Sequence, residues 1–330
     1  MSVLDYAKAL ITGVAGFIGS FLAEKLLDED YYVVGVDNLF RGKMENISHL
    51  LKHPRFQFIK HDITKPLDQI NHSILKDVDI IYHYAAINGT KYFYEIPLDV
   101  LRVNVKGTMN ILEYATKIGV KKIVFASSSE VYGEPLYYPT DEDHPIILPE
   151  VNNPRYSYAA SKVIGEYYIV WYSKTYGIKY LILRIFNTYG PRMDTSEYGQ
   201  VIPEFIRKVL LEKEFTMIAP GTQTRSFCYI DDNIEFTIRA VKKVNNDILN
   251  IGNDEEVRII DLAKLIHEIL GKDFKYKLLP PRPGDPMRRL PNIEKAIRLT
   301  GYKPQVPLRE GIKRTIKWYV KKWGLNIELR

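Results

Sequence analysis

The chain has 330 residues, 46% of them hydrophobic and 26% charged, enough to bury the core of one large domain or two coupled ones. No apolar run is long enough to span a bilayer, no secretory pattern opens the sequence, and the single cysteine, Cys228, can close no intrachain disulfide, so a cytoplasmic protein with no membrane partner is expected. A net charge of +6 admits nucleic acid, yet Lys121-Lys122, Lys242-Lys243 and Lys321-Lys322 are scattered among acids, so the expectation is a solvated surface that attracts a small polyanion.

In chain order, residues 7–12 read as a short buried strand, followed by Gly13, Gly16 and Gly19 and a helix over 17–27. Glycines at a strand-to-helix turn let the backbone approach a pyrophosphate, whose charge is favoured at the helix N-terminus. The spacing is Gly-x-x-Gly-x-x-Gly, distinct from the Gly-x-Gly-x-x-Gly of other dinucleotide folds. A second strand, 32–36, ends in Asp37, an acid suited to the adenosine ribose; this favours NAD, while Arg41 leaves NADP open.

Further strands read at 56–60, 79–83, 122–126 and 180–184, with helices at 98–118 and 158–176. The alternation predicts an α/β fold of the Rossmann type, a doubly wound parallel sheet with right-handed crossovers. Beyond residue 187 prolines break the pattern. Helices at 201–211, 232–241, 260–270 and 308–321 suggest a smaller C-terminal substrate-binding lobe, giving expected regions 1–186 and 187–330.

Tyr158 and Lys162 stand four residues apart on a predicted helix and so share a face. A free tyrosine titrates near ~10, and a neighbouring ammonium brings the phenolate into a useful range. His83 and Cys228 read as a strand-end polar residue and a small core residue, and no His/Cys cluster has metal-ligand spacing.

Several ordered motifs carry a resemblance: Gly13-x-x-Gly16-x-x-Gly19, Asp37-Asn38-Leu39, Tyr84-Ala85-Ala86, Asn104 to Thr108, Ser127 to Gly133, Tyr158-x-x-x-Lys162, Arg184 to Arg192, Gln223 to Phe227, Asn250-Ile251-Gly252 and Arg282 to Asp285. Across almost its whole length the chain resembles the extended short-chain dehydrogenase/reductases that modify nucleotide-diphosphate sugars. It is similar to both UDP-glucose 4-epimerases and UDP-glucuronate decarboxylases. The resemblance implies NAD held by Gly13, Gly16, Phe17, Ile18, Gly19, Asp37 and Asn38, with Asp62, Ile63, Ala85, Ala86, Asn104, Tyr158 and Lys162. It implies catalysis by Ser128, Tyr158 and Lys162, with Glu130 as a further candidate. A nucleotide-diphosphate sugar would be bound by Ser128, Ser129, Asn187, Arg225, Arg282 and Arg289. It also implies a homodimer, in which the helices over 98–118 and 158–176 pair across a two-fold axis.

The implied chemistry is oxidation at C4 of the sugar, after which the family's reactions diverge. Ser129 stands where 4,6-dehydratases of the family carry an aspartic acid, which places dehydration third. Glu130, Arg289, Arg192-Met193 and the Gln223 to Phe227 segment resemble decarboxylases. Against these, Arg282 to Asp285, Asp37 to Leu39 and the altered Ile87 to Phe93 segment favour 4-epimerisation, which ranks first. The alternative outside catalysis is a nucleotide-sugar-binding sensor, disfavoured by the intact Ser128, Tyr158 and Lys162.

Overall fold

Alternate residues of the first strand pack into different apolar layers, Ala9 and Ile11 into one and Leu10 into the other. The same alternation recurs at Val124 against Ile123 and Phe125, and at Leu181 and Leu183 against Ile182. Strands apolar on both faces need cover on both sides, the condition for a parallel sheet sandwiched by helices. Each fully buried Leu or Ile in these layers contributes roughly 1.5–3 kcal/mol.

The computed structural model describes residues 8–196, 199–281 and 286–329. Its central sheet has seven strands: β1 (Lys8–Thr12), β2 (Tyr32–Asp37), β3 (Phe56–Lys60), β4 (Ile80–His83), β5 (Lys122–Ser128), β6 (Lys179–Ile185) and β7 (Asp247–Ile251). All neighbours pair in parallel, in the spatial order β7-β6-β5-β4-β1-β2-β3. After β3 the chain returns to the other side of β1. The strand order therefore reverses between β1 and β4, the switch point where such sheets open a crevice for ligands.

One layer is closed by α1 (Phe17–Asp28) and, later in the chain, the helix Ile230–Lys243. The opposite layer is closed by α2 (Pro97–Ile118) and α3 (Ser157–Tyr176). Helix α2 starts at Pro97, one residue earlier than the periodicity suggests, because proline at the first helical position loses no hydrogen bond there. Among the described residues no helix is long and apolar enough to cross a membrane.

The sheet has one strand more than the sequence reading predicts. Asp247 and Asn250 interrupt the apolar run of β7 and hide it. Asn250 is nevertheless buried, because its Nδ2 donates to the carbonyls of Thr140 (3.0 Å) and Asn292 (3.1 Å) and its Oδ1 accepts from the Tyr132 hydroxyl (2.7 Å). The C-terminal part of the chain thus re-enters the sheet as its edge strand. Helix α3 is tied to the sheet by a buried ion pair: Arg184 of β6 reaches Glu166 through Nε (3.0 Å) and Nη2 (2.7 Å).

Candidate active site

At the carboxyl ends of β1, β4 and β5 lies a cavity of about 390 Å³. Its floor is the turn between β1 and α1. Gly13 has a φ of +75°, and a Cβ there would stand 2.8 Å from the Ala85 nitrogen. A Cβ on Gly19 would lie 2.2 Å from the Gly13 carbonyl oxygen, so the turn and the helix behind it close only with glycine at both places. The result is a concave backbone cradle at the start of a helix, of the shape and polarity that fit the pyrophosphate of NAD.

Gly13, Gly16, Phe17, Ile18, Gly19, Ala86, Tyr158 and Lys162 lie on the cavity wall. Asp37, Asn38, Asp62, Ile63, Ala85 and Asn104 stand behind it. Asp37 is buried and accepts from the Ala15 nitrogen (3.0 Å) and the Leu39 nitrogen (2.7 Å), while burial pushes its carboxyl above the usual range. Asn38 accepts from the Phe40 nitrogen (3.0 Å), and Asp62 from that of Thr64 (2.9 Å). The Ile63 carbonyl receives the Asn110 amide (2.7 Å). Asn104 turns its amide to the Ile87 nitrogen (2.8 Å) and the Ser161 hydroxyl (3.0 Å), bracing α2 against the loop after β4.

His83 does more than fill a strand end. Thr108 Oγ1 donates to the Asn104 carbonyl (2.7 Å), so it accepts from His83 Nε2 (3.0 Å). Nδ1 then accepts from Thr12 Oγ1 (2.7 Å), which in turn accepts from the Ala85 nitrogen (3.2 Å). Burial, with Lys162 adding to it, holds His83 at about 3 and hence neutral.

On the opposite wall, Lys162 projects its Nζ to 5.7 Å from the centre of the Tyr158 ring and donates to the Ala126 carbonyl (2.7 Å). Burial, opposed by Glu166, pushes Lys162 down to about 7. Burial likewise raises the Tyr158 hydroxyl, reinforced by the Glu130 charge and opposed by a Ser128 hydrogen bond and by Arg41. Ser128 ends β5 and accepts from the Glu130 nitrogen (3.2 Å).

Glu130 is not a solvated loop residue. Its carboxylate lies 3.1 Å from Arg155 and 3.5 Å from Arg289, both guanidiniums buried. Burial would raise Glu130, but Arg155, Arg289 and Arg225 outweigh it and hold the group at about 2. Arg289 also donates to the Ser129 carbonyl (2.6 Å), joining Ser129 to the cluster. Sequence reading missed Arg155. The residue precedes the helix, on the short turn Pro154–Tyr156 capped by Asn153, so helical spacing from Tyr158 could not reveal it.

Asn187 and Arg225 line the far end, with Asn187 donating to the Ser226 carbonyl (3.2 Å) and Arg225 to that of Thr224 (2.8 Å). Arg282 lies outside the described residues. Arg41 pairs with Asp194 at 3.4 Å. Among the described wall residues, eight are cationic (Arg41, Lys43, Arg155, Lys162, Arg192, Lys208, Arg225, Arg289) and three acidic (Glu130, Asp194, Glu204). That surplus suits a ligand with several negative charges.

Comparison with known proteins agrees with this geometry. Residues 9–252 match the model of the NAD dependent epimerase/dehydratase family. UDP-glucuronic acid decarboxylase 3 of Arabidopsis thaliana is 39% identical over 308 residues, 92% of this chain and 86% of that protein. A putative UDP-glucose 4-epimerase of Methanocaldococcus jannaschii is 41% identical over 312 residues, 94% of this chain and 97% of that one. Among solved structures, UDP-glucuronic acid 4-epimerase from Bacillus cereus, in complex with UDP-glucuronic acid and NAD, superposes with a TM-score of 0.85 at 35% identity, covering 96% of this chain and 99% of that one. A glycine cradle fit for NAD and a cationic cavity fit for a nucleotide sugar are thus matched along most of the chain, which belongs to the NAD-dependent epimerase/dehydratase family of enzymes.

Proposed function

We propose that this enzyme takes a UDP-hexuronate and decarboxylates it after oxidation at C4. The observation that carries the reading is the buried Arg155–Glu130–Arg289 cluster, two guanidiniums against one carboxylate at the end of the cavity that holds Tyr158. Two cations face one acid there, and a substrate carboxylate would add a second acceptor able to take bidentate hydrogen bonds from them.

When bound in the glycine cradle, NAD supplies the hydride acceptor for C4 and later the hydride donor. Tyr158 takes the C4 hydroxyl proton, steadied by Ser128, with Lys162 favouring the phenolate. The oxidised sugar is a β-keto acid. As its C5–C6 bond breaks, carbon dioxide leaves and the electron pair moves onto the C4 oxygen, where the Tyr158 hydroxyl can donate to it. A proton then adds at C5, and reduction at C4 with return of the Tyr158 proton completes the cycle. Glu130, held at about 2, stays ionised at neutral pH and is a poor acid for a departing hydroxyl, which argues against 4,6-dehydration. The names of the Arabidopsis relatives support the same outcome.

A second reading is 4-epimerisation, which ranks first on sequence alone for a hexose or a hexuronate; likeness to the Bacillus cereus enzyme favours the hexuronate. Both readings need the carboxylate. Residues 1–186 would bind NAD, and residues 187–330 would supply most of the nucleotide-sugar contacts. The expected assembly is a homodimer through α2 and α3, supported by the exposed stripe Ile164, Tyr167 and Trp171 on α3. A cytoplasmic setting is supported by the one buried free thiol, Cys228. Competing UDP-glucuronate against UDP-glucose tests the carboxylate requirement. Only the former should be consumed, Arg289→Met should erase that preference, and equal turnover of UDP-glucose would defeat the reading.

A further inference from the structure

The segment after Ala86 is where this chain departs from the decarboxylases it resembles, and it builds a contact with Tyr158. The helix Thr90–Glu95 carries Phe93, only 2% exposed, against the Tyr158 ring. The two rings stack with centroids 4.9 Å apart and planes 13° from parallel. The Arg155 guanidinium lies 5.5 Å from the same Phe93 ring while it holds Glu130 at 3.1 Å. Ile87 and Val100 complete the apolar packing around the pair.

The segment is anchored to the helix that bears Tyr158. Asn104 holds the Ile87 nitrogen (2.8 Å) and donates to the Ser161 hydroxyl (3.0 Å). That hydroxyl donates to the Tyr158 carbonyl (2.7 Å). The segment thus packs the Tyr158 ring directly and is linked to its backbone through Asn104 and Ser161. A proton-transfer group has to be held within fractions of an ångström and a few degrees of its working geometry, which a neighbouring flat ring achieves and a flexible aliphatic chain does not.

We propose that Phe93 is a positioning residue for the reaction: its ring sets the plane of Tyr158 and keeps water from that face. The role rests on the reading of Tyr158 as the proton-transfer group. The charged groups around Tyr158 are Glu130 and Arg155 on one side, Arg41 from the loop after β2, and Lys162 on its own helix. Of these, only Arg155 also touches the Phe93 ring (5.5 Å), so a change at Phe93 acts through the aromatic contact and that one neighbour.

The experiment compares Phe93→Leu, Phe93→Tyr and Tyr158→Phe with the parent enzyme, measuring NAD affinity, KM for UDP-glucuronate, and kcat as a function of pH. Phe93→Leu should lower kcat by roughly tenfold to a hundredfold, with KM and NAD affinity unchanged. The limb of its kcat profile that reports Tyr158 should move to lower pH, because water reaching the ring stabilises the phenolate. Phe93→Tyr, which keeps the flat ring, should recover both properties. Should the leucine variant not fold, Phe93→Met carries the same expectations. A Phe93→Leu enzyme with the parent kcat and pH profile, beside an inactive Tyr158→Phe, overturns the proposal while leaving the Tyr158 reading intact. So does a loss shared by NAD affinity and folding with an unmoved pH profile. Full turnover by Tyr158→Phe overturns the underlying reading as well.

Discussion

Arg155 and Glu130 meet at 3.1 Å beside Tyr158, and the Arg155 side chain is almost wholly withdrawn from water. Such a pair is stable only while both partners remain, since a lone buried charge is costly. The pairing also fixes what Glu130 can do, because an acid held at about 2 is a carboxylate at every working pH.

That depression makes a prediction about stability. A carboxyl lowered from 4.5 to about 2 in the folded state contributes stability that is present above 4.5 and lost as pH falls through 2. Glu130→Gln should therefore be less stable than the parent by up to roughly 3 kcal/mol at pH 7, a gap that closes in acid. Urea denaturation of both proteins at neutral pH and near the acid limit of folding checks it. A gap of constant size would show that Glu130 titrates normally.

Lys162 should behave in the opposite sense. Its folded-state value lies below that of a free lysine, so the charged form is disfavoured by folding. The cost is complete below about 7 and is relieved as pH rises toward 10.5. Lys162→Met should abolish turnover yet stabilise the protein, by on the order of 1–2 kcal/mol at mildly acidic pH and less in alkali. Thermal unfolding of the variant across that range would refute the idea by showing a destabilised protein at low pH.

The apolar stripe on α3 predicts association. Trp171 is 56% exposed and Tyr167 61%, unusual for large aromatics on the outer face of a long helix. Light scattering should find a dimer that Trp171→Glu converts to a monomer with its fold retained. A monomeric parent protein would remove the stripe's proposed purpose.

The cradle, six of the seven strands and the Tyr158–Lys162 pair are legible because local chemistry dictates them: glycines at a turn, short apolar runs, i and i+4 on a helix. The rest depends on contacts between distant segments. Strand β7 is hidden by Asn250, whose amide is satisfied by Thr140 and Asn292, far away in sequence. Glu130 is a candidate from its motif, but its ion pairs show only when Arg289, brought from near the C-terminus, lies beside it. Phe93 shows no pattern at all, since its meaning lies in the ring it faces. Asn104 reads as a cofactor contact from its motif; that its amide also reaches Ile87 and Ser161 needs the folded chain.

The central claim is that the two arginines around Glu130 receive a substrate carboxylate that then leaves. Incubating the purified protein and NAD with UDP-glucuronate labelled with carbon-13 at C6 tests this most directly, by mass spectrometry of the nucleotide sugar and of the released gas. The account predicts labelled carbon dioxide and a UDP-pentose without label. A product of unchanged mass that keeps its label and is inverted at C4 would contradict decarboxylation and establish the epimerase.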